Sequence, residues 1–270
     1  LKQFNKKDYQ DSSFADVLSV QEILKKSKED FAHFLIHGST SDLRISEGWS
    51  DFDSIAVIKD RHRNAKQVCH LLDICMLLDK EMRKIDKLQH HGIHFIHEKE
   101  LKSYPQLYLP YQLFSDSKCL LGTKKISINP ICSRSLELKR FKGIVKTFKD
   151  AKELGFLNHH PLDGVYLQED FQNERTMYQL KYFLSVIMLL PTLWFNLKDV
   201  YCKKSDSFKM LEKHYNKEEL EILEKSSLIR SKWDDSDISE NKIPTWVQEE
   251  LGLHYLRRGY KFAKMLEDSL

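Results

Sequence analysis

The chain has 270 residues, of which 41% are hydrophobic, and this is enough apolar content to fill the core of one large domain or two modest ones. Charged residues make up 31% of the chain but nearly cancel, leaving a formal net charge of +3, so the overall field favours neither a nucleic-acid nor a membrane partner. The five cysteines are scattered and form no Cys-x-x-Cys pair, which argues against a disulfide framework and a structural zinc site and predicts a reducing, cytoplasmic location.

The first half of the chain alternates helical and strand-like patterns. Apolar spacing predicts helices, and short apolar runs bounded by charge or glycine predict strands. The predicted elements are, in chain order, a helix at 14–31, strands at 33–37 and 54–59, a helix at 64–88, and strands at 92–96 and 118–121. A polar loop at 40–50 joins the first two strands, and the strand at 118–121 is expected at an edge of the sheet. This order predicts a small mixed sheet with helices.

Strand signals stop near residue 130, and helical patterns continue to the C-terminus. These patterns cover about 132–156, 165–198, 205–228 and 245–267. The most apolar stretch is short and contains Pro191, so it predicts a buried helix and not a membrane span. We therefore expect an α+β protein with an N-terminal domain at 1–128 and an all-helical domain at 129–270.

The segment 34–59 carries the strongest chemical signal. It places Gly38 and Ser39 at the end of one predicted strand and Asp51 and Asp53 at the start of the next. Residues two apart on a strand point to the same face, so the two carboxylates form a natural Mg²⁺ site that can join them to substrate phosphates. A Gly-Ser turn allows close backbone approach and offers donors to those phosphates. Phosphoryl or nucleotidyl transfer uses both features, although the two motifs can also occur together by coincidence.

This constellation resembles the signature of the DNA polymerase β-type nucleotidyltransferase superfamily, which is a hydrophobic strand, Gly-Ser, a spacer and Asp-x-Asp. Eleven residues separate Ser39 from Asp51 here. The helical second half makes the chain most similar to the aminoglycoside nucleotidyltransferases, in which a helical domain closes over the nucleotide. The resemblance is specific over 34–59 and loose elsewhere.

The resemblance implies transfer of a nucleoside monophosphate, AMP from ATP or from another nucleoside triphosphate, to a hydroxyl of a small molecule such as an aminoglycoside. Asp51 and Asp53 are then the catalytic metal ligands, with two Mg²⁺ ions when nucleotide is bound, and Gly38 and Ser39 hold the triphosphate. Two alternatives stay open. One is the same chemistry on a protein side chain or a tRNA end, and the other is a nucleotide-binding protein of this fold that has lost turnover.

A third carboxylate is usual on a later strand in active members of the family, and His94 stands at the corresponding position here. A neutral imidazole accepts a proton near pH 7, so His94 is a candidate general base. Alternatively, the acceptor step has been lost, or the register is shifted and Glu98 or Glu100 supplies the carboxylate. A zinc site built from the nearby histidines is not favoured, because His94 and His97 face opposite sides of a strand and no cysteine lies near.

Four cations in the helical half are candidates for binding nucleotide phosphates. Arg175 and Lys181 lie near one face of the predicted helix 165–198, which lines the nucleotide cleft in the resembling enzymes. A solvated helix face is the alternative. Lys204 stands at a predicted helix start, where related helical domains often present a lysine to the triphosphate, and Lys203 is its substitute.

A basic stretch at 139–149 interleaves lysines with Phe141 and Phe148. This composition is compatible with binding an RNA backbone, and equally with an amphipathic helix that has a basic outer face. Nucleic acid is therefore a possible partner that the sequence does not favour. The expected partners are a nucleoside triphosphate and a small hydroxyl acceptor.

Overall fold

The structure is a computed structural model of the chain. It describes residues 1–10, 16–44, 50–85, 92–105, 109–123, 125–131, 133–154, 172–232 and 253–270. The chain divides into two compact units, Leu1–Ser133 and Arg134–Leu270. Every strand in the described ranges belongs to the first unit, and the second unit is helical there, which confirms the predicted α+β class. The functional division at 128/129 stays a prediction.

The first unit is built on strands of two to six residues. They are β1 (Lys2–Gln3), β2 (Phe31–Ile36), β3 (Ser54–Ile58), β4 (Ile93–His97), β5 (Tyr104–Pro105), β6 (Lys118–Leu121) and β7 (Pro130–Ile131). Five of them form a mixed sheet in the order β1-β6-β2-β3-β4, in which β2 is antiparallel to β3 and β6, while β3 and β4 are parallel. β5 and β7 form a separate parallel pair.

The predicted strands at 33–37, 54–59 and 92–96 are confirmed as β2, β3 and β4. The strand predicted at 118–121 exists as β6, but its expected place at the edge is wrong. It lies between β1 and β2, because Lys2 and Gln3 pair with it in parallel. A two-residue strand has no periodicity that a sequence pattern can show.

Helices flank this sheet in the first unit. They are α1 (Val17–Lys26), α2 (Gly38–Asp42), α3 (Ala65–Ile85) and α4 (Gln112–Asp116), with 3-10 turns at Lys6–Tyr9 and Glu98–Ser103. The predicted helices at 14–31 and 64–88 are confirmed as α1 and α3, but the predicted end of the first is wrong, because α1 ends at Lys26 and Phe31 begins β2. The loop predicted at 40–50 is only partly correct, because α2 continues through Asp42.

The two faces of the sheet carry separate apolar clusters. One contains Phe34, Phe52 and Ala56 together with buried residues of α1 and α3. The other contains Leu35 and Ile55 together with buried residues of β4, the following 3-10 turn and α4. Both faces are therefore covered along the strands, and polar side chains concentrate where β2 ends and β3 begins.

The second unit consists of helices in the described ranges. They are α5 (Arg134–Leu154), α6 (Gln172–Leu197), α7 (Lys204–Leu211), α8 (Lys217–Lys232) and α9 (Leu253–Asp268). The predicted apolar helix is confirmed as α6, whose residues from Phe183 to Trp194 supply much of the core. No described helix is long and apolar enough to cross a membrane.

The single helix predicted at 205–228 is wrong, because α7 and α8 replace it. Asn216 caps the start of α8, where its Oδ1 accepts a hydrogen bond from the Glu219 amide at 3.1 Å and the Glu219 carboxylate accepts one from the Asn216 amide at 2.9 Å. Such a capping box satisfies two amides that a helix start leaves unpaired. It therefore favours a new helix start over continuation.

The basic stretch at 139–149 lies on α5. Phe141 and Phe148 are buried together with Val145, so these rings belong to the core and are not available to stack on bases. The lysines face solvent, and Lys146 pairs with Asp150 at 2.7 Å. The amphipathic-helix interpretation is thus confirmed, and the interleaved aromatic rings give no support to RNA binding.

Candidate nucleotide and metal site

Four of the predicted site residues lie where β2 ends, α2 follows and β3 begins. Gly38 and Ser39 open α2 directly after β2, and Asp51 and Asp53 precede β3. The antiparallel pairing of β2 with β3 continues one step past the strands, because the His37 amide donates to the Asp53 carbonyl oxygen at 3.1 Å. The Gly-Ser turn and the aspartate pair therefore meet at one end of the sheet.

Gly38 and Asp53 are in direct contact. Gly38 has a φ of +63°, and a Cβ atom built on it would lie 2.5 Å from the Asp53 Oδ2 atom. Any L-amino acid at this position would be strained in its backbone and would also have to displace the carboxylate. The absence of a side chain at 38 thus lets the Asp53 carboxylate rest against the backbone of the turn.

The buried side of α2 is anchored by neutral hydrogen bonds. The Thr40 hydroxyl donates to the Asp51 carbonyl oxygen at 3.0 Å, and the Tyr9 hydroxyl donates to the Thr40 carbonyl oxygen at 2.9 Å. Thr40 and Tyr9 are fully buried, whereas Gly38 is exposed and the side chains of Asp51 and Asp53 are half-buried. These hydrogen bonds hold the turn on its buried side, while Gly38 on its outer side is exposed to solvent.

Two histidines lie on the same face of the sheet as Asp53. Alternation along β3 puts Asp53 on the face of Ile55, and Ile55 pairs with Leu35 on one side and with His94 on the other. His37 follows Leu35 by two residues, so it shares this face. Gly92 precedes the paired Ile93 at the level of Asp53, and a Cβ atom there would meet no atom of the described residues within 4 Å. Asp53 therefore has His94 on the adjoining strand and on the same face of the sheet.

Both imidazoles are held towards the neutral form. Burial lowers the pKa of His37, and the Asp53 carboxylate opposes this shift. Burial also lowers the pKa of His94, helped by the nearby His37, while Glu100 opposes it. A neutral imidazole can accept a proton, so His94 has the protonation state that a general base requires.

Glu98 and Glu100 lie in the 3-10 turn after β4 and are exposed. The Glu100 carboxylate accepts a hydrogen bond from the His97 amide at 2.7 Å, and the Glu98 carboxylate accepts one from the Asp60 amide at 3.2 Å. The two residues therefore belong to a helical turn with solvated charges. Both carboxylates are occupied at the turn, so neither takes the β4 position that His94 holds.

The fit of this end of the sheet to Mg²⁺ rests on oxygen donors. Within the described ranges, no group of three or more histidine, cysteine, aspartate or glutamate side chains is arranged to hold a metal ion. Mg²⁺ does not need such a cage, because proteins usually bind it through one or two carboxylates together with substrate phosphates and water. Asp51 and Asp53 match that requirement in type and in half-exposure, and Asp53 also contacts the Gly38 backbone.

The predicted cations all lie in the second unit. Lys203 caps the start of α7, and Lys204 is its first residue; both are half-buried. Lys181 on α6 is only 1% exposed, so a solvated helix face is the wrong description for it. Arg175 also lies on α6, but its side chain is outside the part of the chain that the structure describes. Their roles towards a nucleotide stay predictions.

His37 is the residue at this site that sequence reasoning missed. Its signal was available, because the alternation that puts Asp53 and Ile55 on one face extends through Leu35 to His37. The position of Gly92 beside Asp53 had no such signal, since it depends on the parallel register of β3 and β4.

No protein-family model matches the sequence, and no curated protein matches it. Among solved structures, the chain is similar to the crystal structure of spectinomycin adenyltransferase AAD(9) from Enterococcus faecialis with ATP and spectinomycin. The two are 13% identical, with 94% of this chain and 100% of that chain covered and a TM-score of 0.48.

Proposed function

We propose that the protein transfers a nucleoside monophosphate, AMP from ATP, to a hydroxyl group of a small molecule such as an aminoglycoside. The observation that carries this proposal is the contact between the Gly38 backbone and the Asp53 carboxylate at the shared end of β2 and β3. This contact places a carboxylate of the Asp-x-Asp pair against a turn whose backbone a phosphate group can approach closely. Nucleotidyl transfer needs that combination, because the charge to be neutralised lies on phosphate oxygens.

The proposed role of each residue follows from the chemistry of its side chain or backbone and from its exposure. Asp51 and Asp53 would hold Mg²⁺, two ions when nucleotide is bound, and the bound metal would neutralise phosphate charge and orient the triphosphate. The Gly38 backbone and the Ser39 amide or hydroxyl would approach the triphosphate. Lys204, with Arg175 and Lys181, is proposed to contribute positive charge from the helical unit. Each of these cationic roles is a separate hypothesis.

His94 is the proposed general base. The acceptor hydroxyl oxygen forms a bond to the α-phosphorus, the bond from that phosphorus to the bridging oxygen of pyrophosphate breaks, and the acceptor proton passes to the imidazole. Pyrophosphate leaves with the bonding electrons. The lowered pKa of His94 keeps the imidazole unprotonated and ready to accept that proton at neutral pH.

The decisive experiment follows pyrophosphate release with Mg²⁺ and each nucleoside triphosphate, alone and with an aminoglycoside panel or bulk tRNA. We expect release with ATP and a small hydroxyl acceptor, and its loss in the Asp51→Asn and Asp53→Asn variants. Asp60→Asn is the matched control, because Asp60 is an exposed carboxylate beyond the other end of β3. Release that survives both site substitutions would reject the proposal, and stimulation by tRNA alone would reassign the acceptor.

A catalytically silent nucleotide-binding protein is the second candidate, favoured by the imidazole that stands in place of a β4 carboxylate. His94 substitutions separate the two functions. If His94 is the general base, His94→Ala should lower kcat by roughly 10²–10⁴-fold with little change in KM. His94→Asp should then retain part of the rate. Mg²⁺-dependent ATP binding without turnover under any acceptor, lost in Asp53→Asn, would instead establish the binding protein.

A further inference from the structure

The outer face of α3 carries an apolar stripe. The inner face buries Ile74, Leu78 and Met82 against the sheet, whereas Leu72 is 57% exposed and Met76 is 71% exposed. The spacing of Ala65, Cys69, Leu72 and Met76 is four, three and four residues, so these side chains form one seam along the helix. The seam lies opposite the buried face.

We propose that α3 is a homodimer interface, in which the seams of two copies of this chain pack antiparallel about a two-fold axis. A two-fold interface uses the same patch on both copies, so the patch has to be complementary to itself. In the register that matches the seams, Ala65 faces Met76 of the second copy and Cys69 faces Leu72 of the second copy. The two-fold axis generates each of these two contacts twice. The interface therefore has four layers of paired apolar side chains, and no charged residue lies within them.

The charges beside the seam select this register. Lys66 and Asp73 flank it on one side, seven residues apart, and both are exposed. Two helical turns are about 10.5 Å, which is too far for an ion pair within one helix. In the antiparallel dimer, Lys66 of each copy lies beside Asp73 of the other, giving two symmetric ion pairs.

Two further features favour this pairing: the residues on the opposite flank of the seam are apolar, and the next register brings like charges together. On the other side of the seam, Val68 lies beside Cys75 of the second copy, so that flank is apolar. Sliding one copy by seven residues along the other, with the overlap displaced towards the C-termini, would bring the two Asp73 carboxylates together and set Lys80 against Lys66 of the other copy. Like charges in direct apposition are destabilising, so the charge pattern disfavours that alternative.

The test measures solution mass over a range of concentrations, by light scattering on an eluting column and by sedimentation equilibrium. We expect a concentration-dependent species of about twice 32.0 kDa, the mass of the chain. Leu72→Asp should abolish that species while the far-ultraviolet circular dichroism stays native, because this side chain is more than half exposed. A monomer at all concentrations, or a dimer that survives Leu72→Asp, would overturn the proposal.

A charge exchange tests the register and does not depend on an apolar substitution. Asp73→Lys and Lys66→Asp should each weaken the dimer, roughly tenfold in dissociation constant, because two attractive pairs become repulsive. The double exchange should restore it, and this rescue is possible only between copies. Lys80→Asp is the matched control outside the overlap and should keep the dimer. Equal loss in the single and double variants would reject this register.

Discussion

Gly38 is the residue at which local backbone geometry and the proposed chemistry are most tightly joined. Gly38→Ala should lower the free energy of unfolding by about 1–2 kcal/mol, because alanine is strained at positive φ. The new methyl group also forces the Asp53 carboxylate to move. We therefore expect loss of Mg²⁺-dependent ATP binding, measured by titration calorimetry, beyond what the stability change explains.

Gly92→Ala separates the two effects. Gly92 has a φ of +58°, close to that of Gly38, but a Cβ atom there meets no atom within 4 Å in the part of the chain that the structure describes. This variant should show a similar loss of stability in denaturant titrations and should keep metal-dependent binding. If both alanine variants bind equally well, the contact between position 38 and Asp53 has no part in the site.

His33 is a half-buried histidine whose protonation the fold opposes. Burial lowers its pKa against the opposing effects of Glu98 and a hydrogen bond to the backbone of Thr123, and its buried Nδ1 atom has no hydrogen-bond partner in the described structure. The unfolded chain then binds more protons than the folded chain below about pH 6.5, so stability is complete above that pH and falls as the pH is lowered.

The prediction for His33 is a difference between two pH values. The free energy of unfolding should drop between pH 7.5 and pH 5, and His33→Gln should make that drop smaller. Chemical denaturation at both pH values measures it. His62→Gln serves as the control, because His62 is exposed and should leave the drop unchanged. An identical drop with and without His33 would show that other groups carry the acid sensitivity.

At the scale of elements, the capping box of α8 explains why one predicted helix became two. Asn216→Ala removes a side-chain acceptor from the Glu219 amide and should lower stability by roughly 1 kcal/mol. Glu218→Ala, at an exposed neighbouring position in the first turn, should have a much smaller effect. Denaturant titration of both variants is the measurement, and equal losses would show that the cap is not the cause.

Periodic elements were predictable and short ones were not. The strands β2, β3 and β4 and the helices α3 and α6 each present enough residues for an apolar pattern to emerge. β1 contributes two residues and α2 five, and both depend on tertiary pairing that no local pattern reports. The new helix start at Asn216 is a different case, because an asparagine followed three residues later by a glutamate is itself a readable capping signal.

For the site, the sequence predicted which residues share one end of the sheet, but not which of their atoms are in contact. The order of Gly38, Ser39, Asp51 and Asp53 predicted a shared sheet end, because antiparallel neighbours joined by a loop must meet there. It did not predict that the Asp53 carboxylate touches the turn backbone, nor that His37 is buried beside it. Those facts depend on register, which is set by burial on both faces of the sheet.

At the scale of the whole molecule, the division into two compact units makes a prediction about cooperativity. Each unit has its own buried core, so calorimetric unfolding should resolve two transitions, which is common for proteins with more than one domain. Gly38→Ala should lower the midpoint of one transition and Asn216→Ala that of the other, by about 4 °C for each kcal/mol lost. A single transition lowered equally by both substitutions would mean that the units unfold as one. If each substitution lowers only one midpoint, each transition can be assigned to its unit. The unit that carries the proposed site residues and the helical unit would then have separate stabilities.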